Sequence, residues 1–374
     1  MIRWMQPSLG DEELDAVAGV FRDGWPGAGP RVQAFRQEFA AYVGVPEEQL
    51  IAITSCTEGL FLTLEALDLG PNDEVVLPTI SYVGAAHAVR SAGARIRLAD
   101  VDPLTLNPTP EQIERCLNAR TRALILLHYG GRPGWVEEIA ALARRHGVLL
   151  IEDAACGLAA TTPAGACGTL GDVGIWSFDS MKLLAAGDGG MLRCADEMLR
   201  GRIDRSSRLG GILSGLDAAA HAQRWWQMDP QQPGRRAFMN DLTAAIARVQ
   251  LKRLPLLVER RAALIESYAA GFAGFDEIAT APDLVATDAP YFFWIQTPAR
   301  DSVAWALRDR GVYATFRYWP LHRMRLYEDG GDYPGADLAT RLTLLLPLHA
   351  ELGEADVELI CNVAIEASRG GADQ

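Results

Sequence analysis

Apolar and polar positions divide the chain into a long first part and a shorter second part. Between about residues 50 and 195, short apolar runs alternate with stretches in which apolar residues recur at helical spacing. The predicted strands of this part cover residues 50–54, 74–78, 95–100, 123–128, 148–152, 173–178 and 190–194. The predicted helices between the earlier strands cover residues 58–67, 82–91, 110–117 and 135–146. This alternation predicts a mostly parallel sheet with helices on both faces, and the closely spaced later strands predict mixed directions.

The second part begins with a long helical stretch from Asp241 to about Ala270, in which Pro255 is expected to kink or interrupt the helix. The predicted elements after it are a strand over 291–297, a helix over 302–310, a strand over 312–318 and helices over 337–345 and 354–366. We therefore expect an α/β protein with a large domain over residues 1–250 and a smaller C-terminal α+β domain over 251–374. The aperiodic Trp-rich stretch 224–226 is interpreted as a lid or a subunit contact, and the tail 369–374 as frayed.

Composition limits the classes of function that need consideration. The 374 residues are 49% apolar and 22% charged, which allows a sizeable core and argues against disorder. The net charge of −13 would repel a phosphate backbone, so the chain is a poor candidate for nucleic-acid binding. No apolar run approaches ~18 residues and no secretory h-region is visible, so we expect no membrane span and a cytoplasmic location. The six cysteines form no C-x-x-C pair, and no metal site is expected.

Lysine is nearly absent from the basic residues of this chain. Of 35 basic side chains only Lys182 and Lys252 are lysine, a skew that a GC-rich genome would also produce. Arginine stays protonated, whereas a desolvated lysine can lose its proton and attack a carbonyl. Lys252 lies in a helical pattern typical of a solvated charge, but Lys182 lies in a glycine-rich loop and is the candidate for chemistry.

Residues 55–59 (SCTEG) follow a predicted strand and open a helix. Ser55 and Glu58 have the spacing of a capping box, so a plain helix start is one interpretation. The other is an anion site, because the first amides of a helix are unpaired and point toward negative charge. The segment alone does not decide between them.

Two further segments lie at predicted strand ends. Asp153 ends an apolar strand, where it either caps a helix or holds a cationic ring nitrogen, since ligands of open α/β sheets bind at the carboxyl ends of strands. Ser177 precedes Lys182 by five residues, and the glycine-rich residues 187–190 (GDGG) follow. This arrangement suits a lysine bound to a phosphate-bearing cofactor better than an exposed loop lysine. Together the three segments supply what pyridoxal phosphate needs: a phosphate anchor, a partner for its ring nitrogen and a Schiff-base lysine.

On these segments the chain resembles, over nearly its whole length, the fold-type-I pyridoxal-phosphate aminotransferases of the DegT/DnrJ/StrS kind. The best matches are residues 152–155 (EDAA) and the segment from Ser177 through Lys182 to the glycines. Further matches are residues 24–30 (GWPGAGP), 32–39, 72–79 (NDEVVLPT), 128–133 (HYGGRP) and 240–251 (NDLTAAIARVQL). The resemblance implies a fold-type-I transferase with a mostly parallel mixed sheet, helices on both faces and a smaller C-terminal domain.

The resemblance also implies roles for individual residues. Lys182 would form the Schiff base, and Asp153 would pair with the pyridine nitrogen. Tyr82 falls where the family stacks an aromatic ring on the cofactor, although a half-buried tyrosine at a helix start would look the same in sequence. The remaining cofactor contacts would come from Cys56, Thr57, Cys156, Ser177 and Arg236.

Several positions depart from the family pattern. Cys56 stands where the family usually has glycine, Cys156 where it has glutamine, and Asp179 where histidine often follows the Ser-Phe pair. The usual N-x-R-M before the long helix appears here as residues 236–239 (RAFM). The asparagine commonly reaches the phosphate of the partner subunit's cofactor; Arg236 could do the same or point to solvent.

The implied reaction is transfer of an amino group from glutamate or glutamine to a keto sugar or keto cyclitol, as in sugar or antibiotic biosynthesis. The implied cofactor is pyridoxal 5′-phosphate and the implied assembly a homodimer with shared active sites. Substrate-side candidates are Trp25, Arg317, Tyr318 and His322, which could also be ordinary surface residues. Lys182 argues against relatives that carry histidine there and dehydrate, but elimination or dehydration with the same lysine stays open. A nucleotide-binding dehydrogenase would need a G-x-G-x-x-G motif, which residues 55–60 do not supply.

Overall fold

The computed structural model describes residues 1–212, 226–282 and 287–370. The interpretation of the Trp-rich stretch 224–226 therefore lies outside the described residues except for Trp226, as does most of the C-terminal tail.

The strands of the described residues, in chain order, are β1 (Leu50–Ile53), β2 (Glu74–Pro78), β3 (Arg95–Ala99), β4 (Thr121–Leu127), β5 (Leu149–Asp153), β6 (Thr161–Thr162), β7 (Gly165–Ala166), β8 (Val173–Ser177), β9 (Gly190–Cys194), β10 (Ala279–Thr280), β11 (Phe293–Gln296) and β12 (Thr343–Leu346). Seven of them form a mixed sheet, in the order β1-β9-β8-β5-β4-β2-β3, at the centre of the first part of the chain. Within the central sheet, β9 runs antiparallel to both neighbours and the other pairs are parallel. The predicted mixture of directions is confirmed.

Helices cover both faces of this sheet, as expected for a largely parallel sheet whose central strands are mostly buried. The α-helices of the part of the chain that the structure describes are, in chain order, α1 (Asp11–Asp23), α2 (Pro30–Val43), α3 (Cys56–Glu65), α4 (Val83–Ser91), α5 (Pro110–Glu114), α6 (Val136–His146), α7 (Glu197–Ser207), α8 (Asp241–Phe272), α9 (Arg300–Asp309), α10 (Pro334–Leu342) and α11 (Glu354–Gly370). On one face α5 and α6 contribute Ile113 and Ile139 to an apolar cluster with Leu124 and Leu150. The other face packs into the main core.

The C-terminal part contains its own antiparallel sheet, β10-β11-β12, and the helices α9 and α11, which pack together. The long helix α8 contacts α1, α2 and α11 and so connects the two parts. The division of the chain at residue 250 stays a prediction, since α8 runs through that position.

The first residues of the chain contact the C-terminal part. The amide of Ile2 donates to the carbonyl of Gly311 at 2.8 Å, and the amide of Leu348 donates to the carbonyl of Trp4 at 3.1 Å. The Trp4 ring then packs against Phe292, with ring centroids 5.4 Å apart. This pairing brings the N-terminus to the candidate site.

The interruption expected at Pro255 does not occur, because α8 continues from Asp241 to Phe272. Pro255 is exposed, whereas Leu254 and Leu257 beside it are buried. Apolar packing on both sides of the proline offsets the backbone hydrogen bond that its ring removes.

Two predictions for the C-terminal part were wrong. Residues 312–318 form no strand; Val312 and Thr315 make isolated bridges, to Ile2 and to Leu345. The predicted helix over 337–345 ends at Leu342, because the next four residues form β12 and pair with β11. In the described ranges no helix is long and apolar enough to cross a membrane.

Candidate active site

The candidate residues meet at the carboxyl ends of the central parallel strands, the edge at which open α/β sheets bind ligands. β5 ends at Asp153 and β8 ends at Ser177. A cavity of about 280 Å³ opens there. Its walls are formed by Trp4, Ser55, Cys56, Thr57, Leu60, Tyr82, Leu127, Asp153, Ala155, Ser177, Asp179, Met181, Lys182, Asp188, Tyr291, Arg317 and Tyr318.

One end of the cavity is the first turn of α3. The Ser55 hydroxyl accepts a hydrogen bond from the Glu58 amide at 3.1 Å. The Glu58 carboxylate instead pairs with Arg235 at 3.0 Å, so only half of the predicted capping box forms. The amides of Cys56 and Thr57 belong to the first turn, which has no acceptors within the helix, and this end of the cavity can therefore take an anion.

Gly190 explains part of the glycine-rich motif. A Cβ atom at this position would lie 2.9 Å from the amide nitrogen of Cys56 and 2.9 Å from the carbonyl oxygen of Trp176. Because both neighbours are backbone atoms, only glycine lets β9 pass this close to the start of α3.

Asp153 is almost completely buried at the end of β5. Its Oδ1 atom accepts from the Ala155 amide at 3.1 Å and from the Cys56 thiol at 3.6 Å. Burial raises the pKa of Asp153, and the Ala155 amide, Lys182 and Cys56 offset that effect only in part. Such a carboxylate gains from a cationic partner.

Lys182 lies beside a ring of weakly acidic groups. Its ammonium nitrogen is 5.1 Å from the centre of the Tyr291 ring. Burial acts to lower the pKa of Lys182, but Tyr291, Cys156 and Tyr318 outweigh it and hold that pKa well above its usual value. These groups attract the ammonium as charges only when they are ionised, and the amine must give up a proton before it attacks a carbonyl.

The groups around Lys182 are themselves protonated. Burial raises the pKa of Tyr291 to about 12 and that of Cys156 to about 11. The Cys156 sulfur lies 3.9 Å from the Tyr318 hydroxyl. Tyr318 in turn makes an edge contact with Tyr82, with ring centroids 5.7 Å apart. These side chains form a wall of neutral donors and aromatic faces near the amine.

Four predicted site residues do not line the cavity: Cys156, which is buried beside Tyr318, and Trp25, Arg236 and His322. Trp25 is partly exposed, and its indole donates to the carbonyl of Ala28. Arg236 is exposed, and its guanidinium lies over the Phe238 ring. His322 has both ring nitrogens engaged: Nδ1 is 2.7 Å from the Thr79 hydroxyl, and Nε2 is 3.0 Å from Asp337.

Trp4, Tyr291 and Asp188 line the cavity although the sequence analysis gave them no role. Asp188 was visible within the GDGG motif. Trp4 and Tyr291 carry no local signal, because they reach the site through long-range contacts of the N-terminus and of the segment before β11.

A buried ion pair lies directly behind this site. Nε2 of His128 is 2.9 Å from Oε2 of Glu152, and neither side chain is exposed. Glu152 also accepts the amides of Gly168, Leu170 and Gly171 at 2.8, 2.7 and 2.6 Å. The pair fixes the strand residue next to Asp153.

The residues of the cavity fit pyridoxal phosphate. A helix N-terminus and the Ser177 hydroxyl could hold a phosphate, Asp153 a protonated ring nitrogen, and Lys182 an aldehyde carbon. Elsewhere in the described ranges, no group of three or more His, Cys, Asp or Glu side chains is arranged to hold a metal ion.

Comparison with known proteins agrees with this geometry. The model of the DegT/DnrJ/EryC1/StrS aminotransferase family matches residues 7–364. A dTDP-4-dehydro-2,3,6-trideoxy-D-glucose 4-aminotransferase from Saccharopolyspora spinosa is 45% identical over 97% of this chain and 95% of that protein. The spore coat polysaccharide biosynthesis protein SpsC of Bacillus subtilis is 31% identical over 97% of this chain and 96% of its own length. The crystal structure of the aminotransferase TlmJ from Streptoalloteichus hindustanus superposes with a TM-score of 0.94, at 47% identity and with 99% of both chains covered.

Proposed function

Because this chain belongs to the DegT/DnrJ/EryC1/StrS aminotransferase family, whose members are pyridoxal-phosphate-dependent sugar aminotransferases, we propose that it aminates the 4-keto group of a nucleotide-linked deoxy sugar with glutamate or glutamine as donor. The observation that carries the proposal is that Lys182 and Asp153 line one cavity together with the start of α3. The choice of a 4-keto sugar rests on the Saccharopolyspora relative, which is named for that reaction.

In this proposal each wall of the cavity has a separate task. The amides of Cys56 and Thr57 and the Ser177 hydroxyl hold the phosphate, and Asp153 keeps the ring nitrogen protonated. Bound pyridoxal phosphate supplies an electron sink that stabilises negative charge on the donor's α-carbon. Tyr82 covers the ring.

Lys182 acts as the proton carrier of the reaction. With the cofactor bound, its amine would take the proton from the α-carbon of the donor and carry it, which requires the neutral form of the side chain. The surrounding Tyr291, Tyr318 and Cys156 are all protonated at neutral pH, so they hold no competing negative charge there. They orient the amine and keep bulk water from it.

We extend the proposal to the assembly. A symmetric homodimer would place the exposed Arg236 at the cofactor phosphate of the partner subunit, which explains why this guanidinium lies away from the cavity of its own chain. A cytoplasmic location stays a prediction.

The test uses purified protein loaded with pyridoxal phosphate. L-glutamate or L-glutamine should bleach the visible absorption band and release the corresponding keto acid. Addition of dTDP-4-keto-6-deoxyglucose should restore the band and yield an amino sugar, identified by mass spectrometry. Protein that stays colourless with added cofactor would reject the proposal, and a sugar product that has lost water without gaining nitrogen would replace it with dehydration.

A further inference from the structure

Tyr291 lies beside the reactive amine of the cavity although it belongs to the C-terminal part of the chain. Its side chain is almost completely buried and forms part of the cavity wall. The centre of its ring is 5.1 Å from the Lys182 nitrogen. Burial raises the pKa of Tyr291 to about 12, and Lys182 offsets part of that effect through its charge and through a hydrogen bond. At neutral pH Tyr291 is therefore an uncharged phenol that is hydrogen-bonded to the amine.

We propose that Tyr291 positions the amine of Lys182 in both of its protonation states, an inference that rests on the proposed aminotransferase function. A phenol hydroxyl both donates and accepts hydrogen bonds. It accepts from the ammonium and donates to the neutral amine, so the nitrogen keeps its place whether or not it carries the proton. A carboxylate at this position would instead favour the ammonium form strongly.

This property suits a group that takes up a proton and carries it, as Lys182 does in the proposed reaction. The other two groups that raise the pKa of Lys182 against its burial act on it as charges, which requires their ionised forms. They are Cys156 and Tyr318, and the thiol sulfur of the first lies 3.9 Å from the hydroxyl of the second. Tyr291 is thus the neighbour that serves the amine while it is itself uncharged.

The ring of Tyr291 is held from behind by a close approach of two loops. Gly131 has a φ of +85°, and a Cβ atom there would lie 2.3 Å from the carbonyl oxygen of Ala289 and 2.9 Å from the Cβ atom of Tyr291. The amide of Ala289 donates to the carbonyl of Gly131 at 2.8 Å. On its other side the Tyr291 ring packs on Phe292, with centroids 4.4 Å apart. These contacts fix the hydroxyl relative to Lys182.

A second buried cation acts on Tyr291 from α8. The guanidinium of Arg261 is buried, and its Nη1 atom lies 4.0 Å from the sulfur of Met5. Burial lowers the pKa of Arg261 to about 10, so it is charged at neutral pH. Its charge lowers the pKa of Tyr291 against the effect of burial, which makes the hydroxyl a better donor to the amine. The other titratable groups around this pair are Cys56, Asp153, Cys156, Asp179, Asp188, Arg317 and Tyr318.

The first test needs no turnover. Because the chain has two lysines, cofactor-free protein labelled with carbon-13 at lysine gives two side-chain signals, and Lys252→Arg assigns them. Tyr291→Phe keeps the ring and removes only the hydroxyl. Burial lowers the pKa of Lys182 and Tyr291 is the largest opposing influence, so the Lys182 signal should titrate at a lower pH in this variant than in the parent protein.

Tyr268→Phe is the matched control for the loss of a buried tyrosine hydroxyl. Tyr268 is fully buried, its hydroxyl donates to the carbonyl of Pro347 at 2.9 Å, and it is not among the residues that form the cavity walls. This variant should lose some thermal stability, but its Lys182 signal should titrate as in the parent protein.

The second test follows single turnovers of the cofactor-loaded protein with L-glutamate and with L-glutamate deuterated at the α-carbon. In Tyr291→Phe the rate should fall by about 10- to 100-fold, less than on removal of an acid–base group itself. The deuterium isotope effect should increase, because proton transfer becomes slower relative to the other steps. The L-glutamate concentration for half-maximal rate should change by less than about twofold. Tyr268→Phe should show the isotope effect of the parent protein.

Two results would overturn the inference. One is a Lys182 signal that titrates at the same pH in Tyr291→Phe and in the parent protein. The other is an unchanged isotope effect together with a higher half-saturating L-glutamate concentration, which would make Tyr291 a substrate contact. If the parent protein reacts with no amino donor, the proposed function fails, and the lysine titration still decides whether Tyr291 acts on Lys182.

Discussion

The thiol of Cys56 and the amide of Ala155 reach the same oxygen of Asp153, at 3.6 and 3.1 Å. No hydrogen bond from the described residues is directed to the other oxygen, Oδ2. The carboxylate is thus anchored through Oδ1, and Oδ2 is available to a ring nitrogen. The Cys56 thiol thus supplies one of the two contacts that anchor this carboxylate.

Loss of the thiol should shift the pH dependence of cofactor binding. The Cys56 contact lowers the pKa of Asp153, so in Cys56→Ala that pKa should rise further. Cofactor binding requires the ionised carboxylate of Asp153. On acidification, the cofactor affinity of the variant should therefore begin to fall at a higher pH than the affinity of the parent protein. Absorption titrations between pH 5 and 8 measure the shift, and Cys56→Ser, which keeps a donor, should restore the parent profile.

Lys182 should be irreplaceable even by a residue of the same charge. The Lys182→Ala and Lys182→Arg variants should both lack the visible absorption band. Their rate of amino-group transfer should be about 10²- to 10⁴-fold below that of the parent protein. Arginine does not rescue the reaction, because it keeps the charge but does not give up its proton. Borohydride reduction of the loaded parent protein followed by peptide mapping should label residue 182. Lys252→Ala, which removes the only other lysine, should leave the label in place.

Most of the central strands could be predicted from sequence because they are short apolar runs with a polar residue where they end. That pattern located Asp153 and Ser177, the residues at the ends of β5 and β8. The start of α3 was equally visible, since its capping serine follows β1 directly.

The parts of the cavity wall formed by Trp4 and Tyr291 could not be predicted from local patterns. Trp4 arrives through the pairing of the N-terminus with residues far along the chain, and Tyr291 comes from a segment before β11 with no motif of its own. The error over 312–318 has the same origin, because that segment makes two isolated bridges, to Ile2 and to Leu345, and otherwise carries Arg317 and Tyr318 to the cavity. Long-range contacts, not local periodicity, set these positions.

A methyl group at position 190 should disturb the phosphate end of the cavity. In Gly190→Ala the new Cβ would lie 2.9 Å from backbone atoms of Cys56 and Trp176, so the start of α3 or β9 must move. We expect a loss of about 1–3 kcal/mol in the free energy of unfolding and weaker cofactor binding. Gly70→Ala, whose Cβ would meet only the Asp73 carboxylate at 3.7 Å, is the control for thermal unfolding and cofactor titration.

The proposed dimer predicts that Arg236 serves the active site of the partner subunit. The Arg236→Ala variant and the Lys182→Ala variant should each have low activity on its own. In Arg236→Ala the cause is weaker binding of the cofactor. Mixed under conditions that exchange subunits, they should regain activity, because one site of each heterodimer has an intact lysine and an arginine from the other chain. Absence of any recovery, with heterodimers confirmed by native mass spectrometry, would count against a shared site.

The His128–Glu152 pair should matter for stability more than any exposed pair. Replacing Glu152 by glutamine keeps the volume but leaves His128 without a carboxylate and turns an amide NH2 toward backbone donors. We expect a loss of about 3–5 kcal/mol in the free energy of unfolding, as for other broken buried pairs. Glu38→Gln, which breaks a partly exposed pair with Arg248, should cost less than about 1 kcal/mol.

The effect of Glu152→Gln should also depend on pH in a defined direction. Burial opposes the charge on both side chains. His128 and backbone amides nevertheless hold the pKa of Glu152 below its ordinary 4.5. Cys167 and Glu152 hold the pKa of His128 well above its ordinary 6.5. The carboxylate contributes stability above pH 4.5 that is lost as the pH falls through its folded pKa. The imidazolium contributes stability below pH 6.5 that is lost as the pH rises through its folded pKa. Urea unfolding should therefore show the largest difference between parent and variant from pH 4.5 to 6.5, and a difference that stays constant into strongly alkaline solution would mean that His128 is neutral in the fold.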